Sequence, residues 1–301
     1  VVQKALEIAW QHLSSRHGEP WCREADGERR ARFGIVAYGK LAGLELGYGS
    51  DLDLVFLHDS AGEHQRTRGS RPLDNNEFFT RLAQRVINVL SIPTTSGVLY
   101  QVDTRLRPSG AAGLIVSSME SFTRYQREQA WTWEHQALLR ARPVAGDTTV
   151  GEAFERLRRE VLGRLRDGES LRRDVALMRA RMLKEHVHVD GEFDIKLDAG
   201  GLTDIEFLVQ YWVLQNAAQY PLLLDWTDNI RNLEGLVRTG ILSTELGGFL
   251  ADTYRSFRKI VHRRSLEGRP ARIPEAEAEP QRGRVRALWE ATIGAAAGNP
   301  E

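Results

Sequence analysis

Gly47-Tyr48-Gly49-Ser50-Asp51-Leu52-Asp53-Leu54-Val55-Phe56-Leu57 is the stretch on which the reading of this chain turns. Two aspartates stand two residues apart in a run that otherwise has the composition of a buried strand. Successive strand side chains point to opposite faces, so Asp51 and Asp53 point the same way. Two carboxylates on one face of an apolar strand repel each other and are costly to desolvate. A divalent cation offsets that cost. Hard oxygen ligands held this close suit Mg²⁺, which keeps several waters and takes substrate phosphates as its other ligands. The plainer alternative is a strand end carrying two solvated acids.

Working outward, Phe33-Gly34-Ile35-Val36-Ala37-Tyr38 reads as a strand ending at Gly39. Lys40 to Leu46 has the composition of a short helix, and Gly47, Tyr48 and Gly49 make a turn into the aspartate strand, residues 51–57. Upstream, residues 2–14 read as a helix with Ala5, Ile8, Ala9 and Leu13 on one side, followed by a polar stretch from Ser14 to Arg30. Downstream, His58 to Asn75 is a polar loop. Residues 76–90 form an amphipathic helix, with Phe79, Leu82, Ala83, Val86, Val89 and Leu90 at helical spacing. Pro93 to Gly97 is a loop. Val98 to Leu106 alternates as a strand, with Leu99, Gln101, Asp103, Arg105 and then Arg107 on one face. Ser117 to Ala141 is expected to be helical.

From about Val150 the texture changes to long helical patterns, over 150–165, 171–187, 204–218, 228–239 and 243–262, interrupted at 193–201. The 204–218 segment is apolar nearly all round, as in a helix buried within a bundle. Residues 270–283 read as a loose linker and 284–293 as a last short helix. The expected architecture is an α+β domain over 1–150, including the N-terminal helix, followed by an all-α helical bundle over 151–301. The boundary falls near 145–165.

Bulk properties set outer limits. The 301 residues allow two domains. Lys+Arg and Asp+Glu both number 41, so no net charge points to nucleic acid or an anionic membrane as partner. The single cysteine, Cys22, forms no internal disulfide, which fits a reducing, cytoplasmic setting. No apolar run approaches the roughly 18 residues of a membrane span, and no signal peptide is expected. The chain starts at Val1, not Met, as expected of a fragment of something longer.

A two-metal phosphoryl-transfer site needs carboxylates from more than one strand. Asp103 is the third candidate, an isolated acid in an apolar strand. Arg105 and Arg107 on its face can compensate negative charge or grip phosphate oxygens in bidentate fashion. The plainer reading of Asp103 is an Asp–Arg ion pair on an exposed sheet face. Gly39-Lys40 offers backbone N–H groups and an ammonium to phosphate. It is not a P-loop, because the glycine spacing and the following Ser/Thr are missing. Gly49 and Ser50, in the turn before Asp51, complete the candidate nucleotide-binding set. Ser50 either hydrogen-bonds a phosphate or caps the turn.

A Gly-Lys pair, ten further residues, Asp-Leu-Asp-Leu and a third acid on a later strand resemble the DNA polymerase beta-like nucleotidyltransferase superfamily. That superfamily usually has Gly-Ser or Gly-Gly where this chain has Gly39-Lys40. Within it, the block from Tyr38 to Asp59 resembles the bacterial glutamine synthetase adenylyltransferases. So do Val102-Asp103-Thr104-Arg105-Leu106-Arg107-Pro108-Ser109-Gly110, Trp131-Thr132-Trp133-Glu134-His135-Gln136-Ala137-Leu138, and Asp194-Ile195-Lys196 through Gly200-Gly201-Leu202-Thr203-Asp204-Ile205-Glu206-Phe207. Members of that family have two nucleotidyltransferase halves, one adding AMP to glutamine synthetase from ATP and one removing it by phosphorolysis. Gly-Tyr-Gly-Ser-Asp-Leu-Asp-Leu-Val-Phe resembles the C-terminal, adenylyl-adding half.

The resemblance implies Mg²⁺, two ions, on Asp51, Asp53 and Asp103, with ATP as substrate and Asp103 as candidate base. It implies glutamine synthetase as protein substrate, with the PII signalling protein and glutamine as regulators of the full-length enzyme. The alternatives are the deadenylylating half and a regulatory nucleotide- or PII-binding module without turnover. Glu134 and His135 are read as core or interface residues rather than catalytic ones. Lys196, Asp204 and Glu206 either brace the Gly200-Gly201 turn as an ion-pair network or face the catalytic cleft. His186 and His188 are read as solvated, and Trp226 and the other tryptophans as core.

Overall fold

The computed structural model describes residues 1–24, 27–60, 62, 65–95 and 97–294. The parts of the expected 14–30 polar stretch, of the 58–75 and 93–97 loops and of the 151–301 domain that fall at other positions lie outside the described residues. In chain order the elements are α1 (Val2–His17), β1 (Glu19–Glu24), β2 (Gly27–Arg30), β3 (Phe33–Tyr38), α2 (Gly39–Ala42), β4 (Leu52–His58), β5 (Arg66–Arg68), α3 (Asn75–Ser91), β6 (Pro93–Thr94), β7 (Gly97–Val98), β8 (Val102–Asp103), β9 (Val116–Ser118), α4 (Met119–Glu128), α5 (Thr132–Leu139), β10 (Ala141–Gly146), α6 (Thr148–Leu162), α7 (Gly168–Glu185), β11 (Glu192–Asp194), α8 (Leu202–Asn216), α9 (Asn229–Arg238), α10 (Thr244–Leu266), β12 (Arg272–Pro274) and α11 (Glu275–Thr292). They form two compact units. The first comprises Val1–Leu46, Ser50–Ala130 and Arg140–Val161; the second comprises Gly47–Gly49, Trp131–Leu139 and the chain from Leu162 onward.

The first unit is built on a mixed sheet in the order β10-β3-β4-β8, with β9 also on β4. β10 and β3, and β3 and β4, are antiparallel, whereas β8 and β9 run parallel to β4. β4 is central, and Leu54, Val55, Phe56 and Leu57 are all buried. This explains a continuous apolar run where a one-sided strand would alternate. Leu6 and Ala9 of α1 and Phe79, Leu82 and Val86 of α3 join Ile35, Leu54 and Phe56 in one core cluster. Within it the Phe33 ring stacks on Phe56 and Phe79, with centroids 6.1 and 5.4 Å apart. Asp74 starts α3 by accepting the Asn76 N–H at 2.8 Å. The polar stretch after α1 is a β1–β2 hairpin that extends to β5. Its inward face is Pro20 and Cys22.

Two expectations for residues 98–141 are corrected. The strand foreseen over Val98–Leu106 is broken: Gly97–Val98 pairs with Pro93–Thr94, and only Val102–Asp103 joins β4. The chain leaves the ladder because the Asp103 carboxylate accepts the Arg105 N–H at 2.7 Å, a local bond that competes with strand pairing. The helix foreseen over Ser117–Ala141 is two helices and the start of a strand. α4 closes where Gln129 and Ala130 donate to the Tyr125 carbonyl at 2.9 and 3.0 Å. The Glu134 carboxylate then accepts the Trp131 N–H at 2.9 Å at the start of α5.

The second unit is helical around α8, whose Ile205, Leu208, Val209 and Val213 are fully buried. It is not all-α, because β11 and β12 pair antiparallel with Phe193 opposite Ile273, both buried. The 270–283 segment, foreseen as a linker, contributes β12 and the first half of α11, and the short helix foreseen over 284–293 is the rest of α11. Its Glu-Ala run favours helix, two glutamates occupy the first turn, and Ala278, Val285 and Trp289 are buried. Asp204 pairs with Arg179 and accepts the Gly200 N–H at 2.6 Å, while Arg179 also donates to the Leu197 carbonyl at 2.8 Å. Asp204 therefore braces the paired-glycine turn. Glu206 accepts the Tyr254 hydroxyl at 2.9 Å, and Lys196 is exposed. His186 is not solvated: its Nε2 lies 3.1 Å from the buried Asp198 carboxylate. Nor are Trp131, Trp133 and Trp226 core. They are exposed, and the Arg231 guanidinium lies 4.2 Å over the Trp226 ring.

Candidate active site

The parallel register of β4 and β8 sets Asp53 directly opposite Asp103. The Leu52 N–H donates to the Gln101 carbonyl at 2.8 Å and helps hold that register. Asp53 is half-buried, and Asp51, outside the strand, is exposed. Burial pushes the Asp53 carboxyl up to about 6; the charges of Asp103 and Asp51 add to the rise, and Lys40 and Arg105 oppose it. Asp103 behaves in the opposite way. Hydrogen bonds from Arg105 hold it below the usual carboxylate range, against a smaller effect of burial.

Arg105 reaches Asp103 through three donors. Nε and Nη2 lie 2.8 and 2.5 Å from Oδ2, and the backbone N–H is 2.7 Å from Oδ1. The Arg105 side chain is otherwise 78% exposed. Arg107 has a different place. Its guanidinium donates to the carbonyls of Thr104, Ala111 and Gly113 at 2.8, 3.1 and 3.1 Å and to the Thr104 hydroxyl at 2.9 Å. It ties the loop that follows Asp103.

Gly39 lies at φ +55°, and a methyl group on it would stand 2.8 Å from Asp53 Oδ2. The missing side chain is what lets the Asp53 carboxylate pack against the backbone. The sequence reading gave Gly39 a phosphate contact and missed this role. α2, which begins there, is a single turn. Arg142 donates to the Ala42 and Leu41 carbonyls at 2.8 and 3.1 Å, and Arg140 pairs with Glu45 just beyond the turn. Nothing in the local sequence marks these two arginines, which lie about a hundred residues further along the chain. Gly49 adopts φ +69° in a turn where the Ser265 hydroxyl donates to the Tyr48 carbonyl at 3.0 Å. Ser50 is half-buried. Glu134 caps α5 and His135 Nδ1 lies 3.3 Å from Arg166, so both have structural partners.

Among the described residues, no three His, Cys, Asp or Glu side chains form a ready-made metal cage. The Asp53–Asp103 pair nevertheless suits a divalent cation. Asp53 is desolvated beside a second carboxylate, and a cation there would relieve both causes of its raised pKa. Asp51 stands at the exposed mouth, where it adds negative charge.

Residues 1–157 match the family model described as glutamate-ammonia ligase adenylyltransferase, and residues 169–270 match that described as GlnD PII-uridylyltransferase. Three relatives carry the name bifunctional glutamine synthetase adenylyltransferase/adenylyl-removing enzyme. That of Thioalkalivibrio sulfidiphilus is 55% identical over 290 residues, covering 96% of this chain and 30% of the relative. That of Nitrosococcus oceani is 48% identical over 294 residues, covering 97% and 30%. That of Pseudomonas putida is 46% identical over 303 residues, covering 96% and 31%. The chain belongs to the glutamate-ammonia ligase adenylyltransferase family. It spans about 30% of the length of these relatives.

Proposed function

We propose that the first unit is a nucleotidyltransferase domain that transfers AMP from ATP to a tyrosine hydroxyl of glutamine synthetase, releasing pyrophosphate. The observation that carries this reading is the Asp53–Asp103 pair on adjacent parallel strands, one carboxylate desolvated and the other gripped by arginine. Relatives named as both adenylyltransferase and adenylyl-removing enzyme support the substrate.

Asp53 and Asp103, with Asp51 at the mouth, would hold Mg²⁺, two ions in this proposal. When bound, Mg²⁺ neutralises the ATP phosphates and favours the ionised tyrosine. The tyrosine oxygen attacks the α-phosphorus in line, its P–O bond forms as the bond to the β-phosphate oxygen breaks, and pyrophosphate leaves. Asp103, released by Arg105, takes the tyrosine proton. Lys40 and the freed Arg105 guanidinium balance charge on the phosphates. Arg107 acts on the site through the loop it ties. Control by the PII signalling protein and by glutamine belongs, in this proposal, to the whole enzyme.

The test is AMP incorporation. The chain is mixed with Mg²⁺, α-labelled ATP and unmodified glutamine synthetase, beside an Asp51→Ala/Asp53→Ala control. Label on a tyrosine, absent with the control, is the expected outcome. Phosphate-dependent release of AMP from modified glutamine synthetase, without transfer from ATP, would make the chain the removing half. Neither reaction from a folded chain would leave a binding module.

A further inference from the structure

The Asp103 carboxylate already has a cation, and it is a side chain of the same loop. The Arg105 fork closes on Oδ2 with two donors while its own backbone N–H takes Oδ1. Toward Asp53 the same guanidinium acts only through space. A divalent ion shared by Asp53 and Asp103 needs the lone pairs that Arg105 uses. An arginine stays charged at any ordinary pH, so the exchange is one cation for another, with no proton to lose.

The two arginines of the loop differ in freedom. Arg107 spends its guanidinium on three carbonyls and a hydroxyl and is fixed. Arg105 extends into solvent, with its side chain 78% exposed, and among the described residues Asp103 takes all of its hydrogen bonds. The guanidinium side of the pair faces solvent, so water can take it up as the carboxylate is released, and opening the pair costs less than it would in the interior. We propose that Arg105 is an internal counter-ion of the site: it holds Asp103 while no divalent cation is bound, yields the carboxylate when one arrives, and turns its guanidinium toward the phosphates. This rests on the reading of Asp53 and Asp103 as the ion-holding pair. The exchange keeps the like-charged carboxylates from repelling each other in the empty site, and it makes Arg105 available at the moment when phosphate charge enters.

The test is Mn²⁺ binding to the full chain without nucleotide or glutamine synthetase, read from the loss of the free-ion electron paramagnetic resonance signal, with folding checked by circular dichroism. Arg105→Gln is expected to bind Mn²⁺ about fivefold more tightly than the parent, the upper range for removing an exposed competing pair. Lys40→Gln removes another positive charge that acts on Asp53, and its smaller gain sets the comparison for losing a cation near the site. An Arg105→Gln gain no larger than that of Lys40→Gln overturns the counter-ion role. If Asp53→Asn abolishes binding in that case, the site reading stands and only the exchange falls. Undiminished Mn²⁺ binding in both Asp53→Asn and Asp103→Asn would remove the site reading and the exchange together.

Discussion

Asp53 carries its charge at the expense of the fold. Its folded-state carboxyl titrates at about 6 against an ordinary value of 3.8, so ionising it opposes folding as pH rises through that window. Above pH 6 the penalty is about 2 kcal/mol after allowing for its partial exposure. Asp53→Asn should therefore raise the metal-free melting temperature at pH 7.5 by about 4 °C. The gain should shrink as pH falls through 6 and vanish near 4, as calorimetry across that range will show. Gly39 is the companion residue. Gly39→Ala places a Cβ in the left-handed region and against Asp53 Oδ2, at a cost of about 2 kcal/mol. A lower urea midpoint together with weaker Mn²⁺ binding is expected; unchanged Mn²⁺ affinity would mean that Asp53 does not depend on the cradle. The two aspartates were legible from their spacing alone. The cradle was not, because a glycine before a helix reads the same whatever stands opposite it.

At the scale of elements, α11 shows how composition misleads. A Pro-, Glu- and Ala-rich segment reads as a linker, yet Pro274 stands at its N-terminus and one face carries Ala278, Val285 and Trp289 inward. Pro280 lies inside the helix. Trp289→Ala should cost about 3 kcal/mol, measured as a shift in chemical denaturation. Limited proteolysis of the parent should spare 275–292, where a linker would be cut first. β8 shows the reverse error. Alternation over Val98–Leu106 promised a long strand, but one side chain–backbone bond from Asp103 ended it after two residues. The element is short, yet its register alone brings the third acid beside the second.

Across the whole molecule, 41 basic and 41 acidic residues cancel, with an isoelectric point near 7.3. Solubility at low ionic strength should pass through a minimum close to neutral pH and recover on either side, as light scattering across pH will show. No described helix is long and apolar enough to cross a membrane. By itself the sequence determined the central strand, the two acids at its mouth, the third acid downstream, the family blocks and most of the later helices. These depend on hydrophobic period and on residue types within a few positions of one another, which one chain displays directly. Only the tertiary structure decided which guanidinium closes on Asp103 and which ties a loop, that Arg140 and Arg142 brace the turn holding Gly39, and that β11 and β12 pair across some 80 residues. Arg140, Arg142 and the β11–β12 pair join groups some 80 to 100 residues apart, and even the local choice between Arg105 and Arg107 depends on which acceptors the packed loop brings within reach, so none of these is settled before the chain is packed.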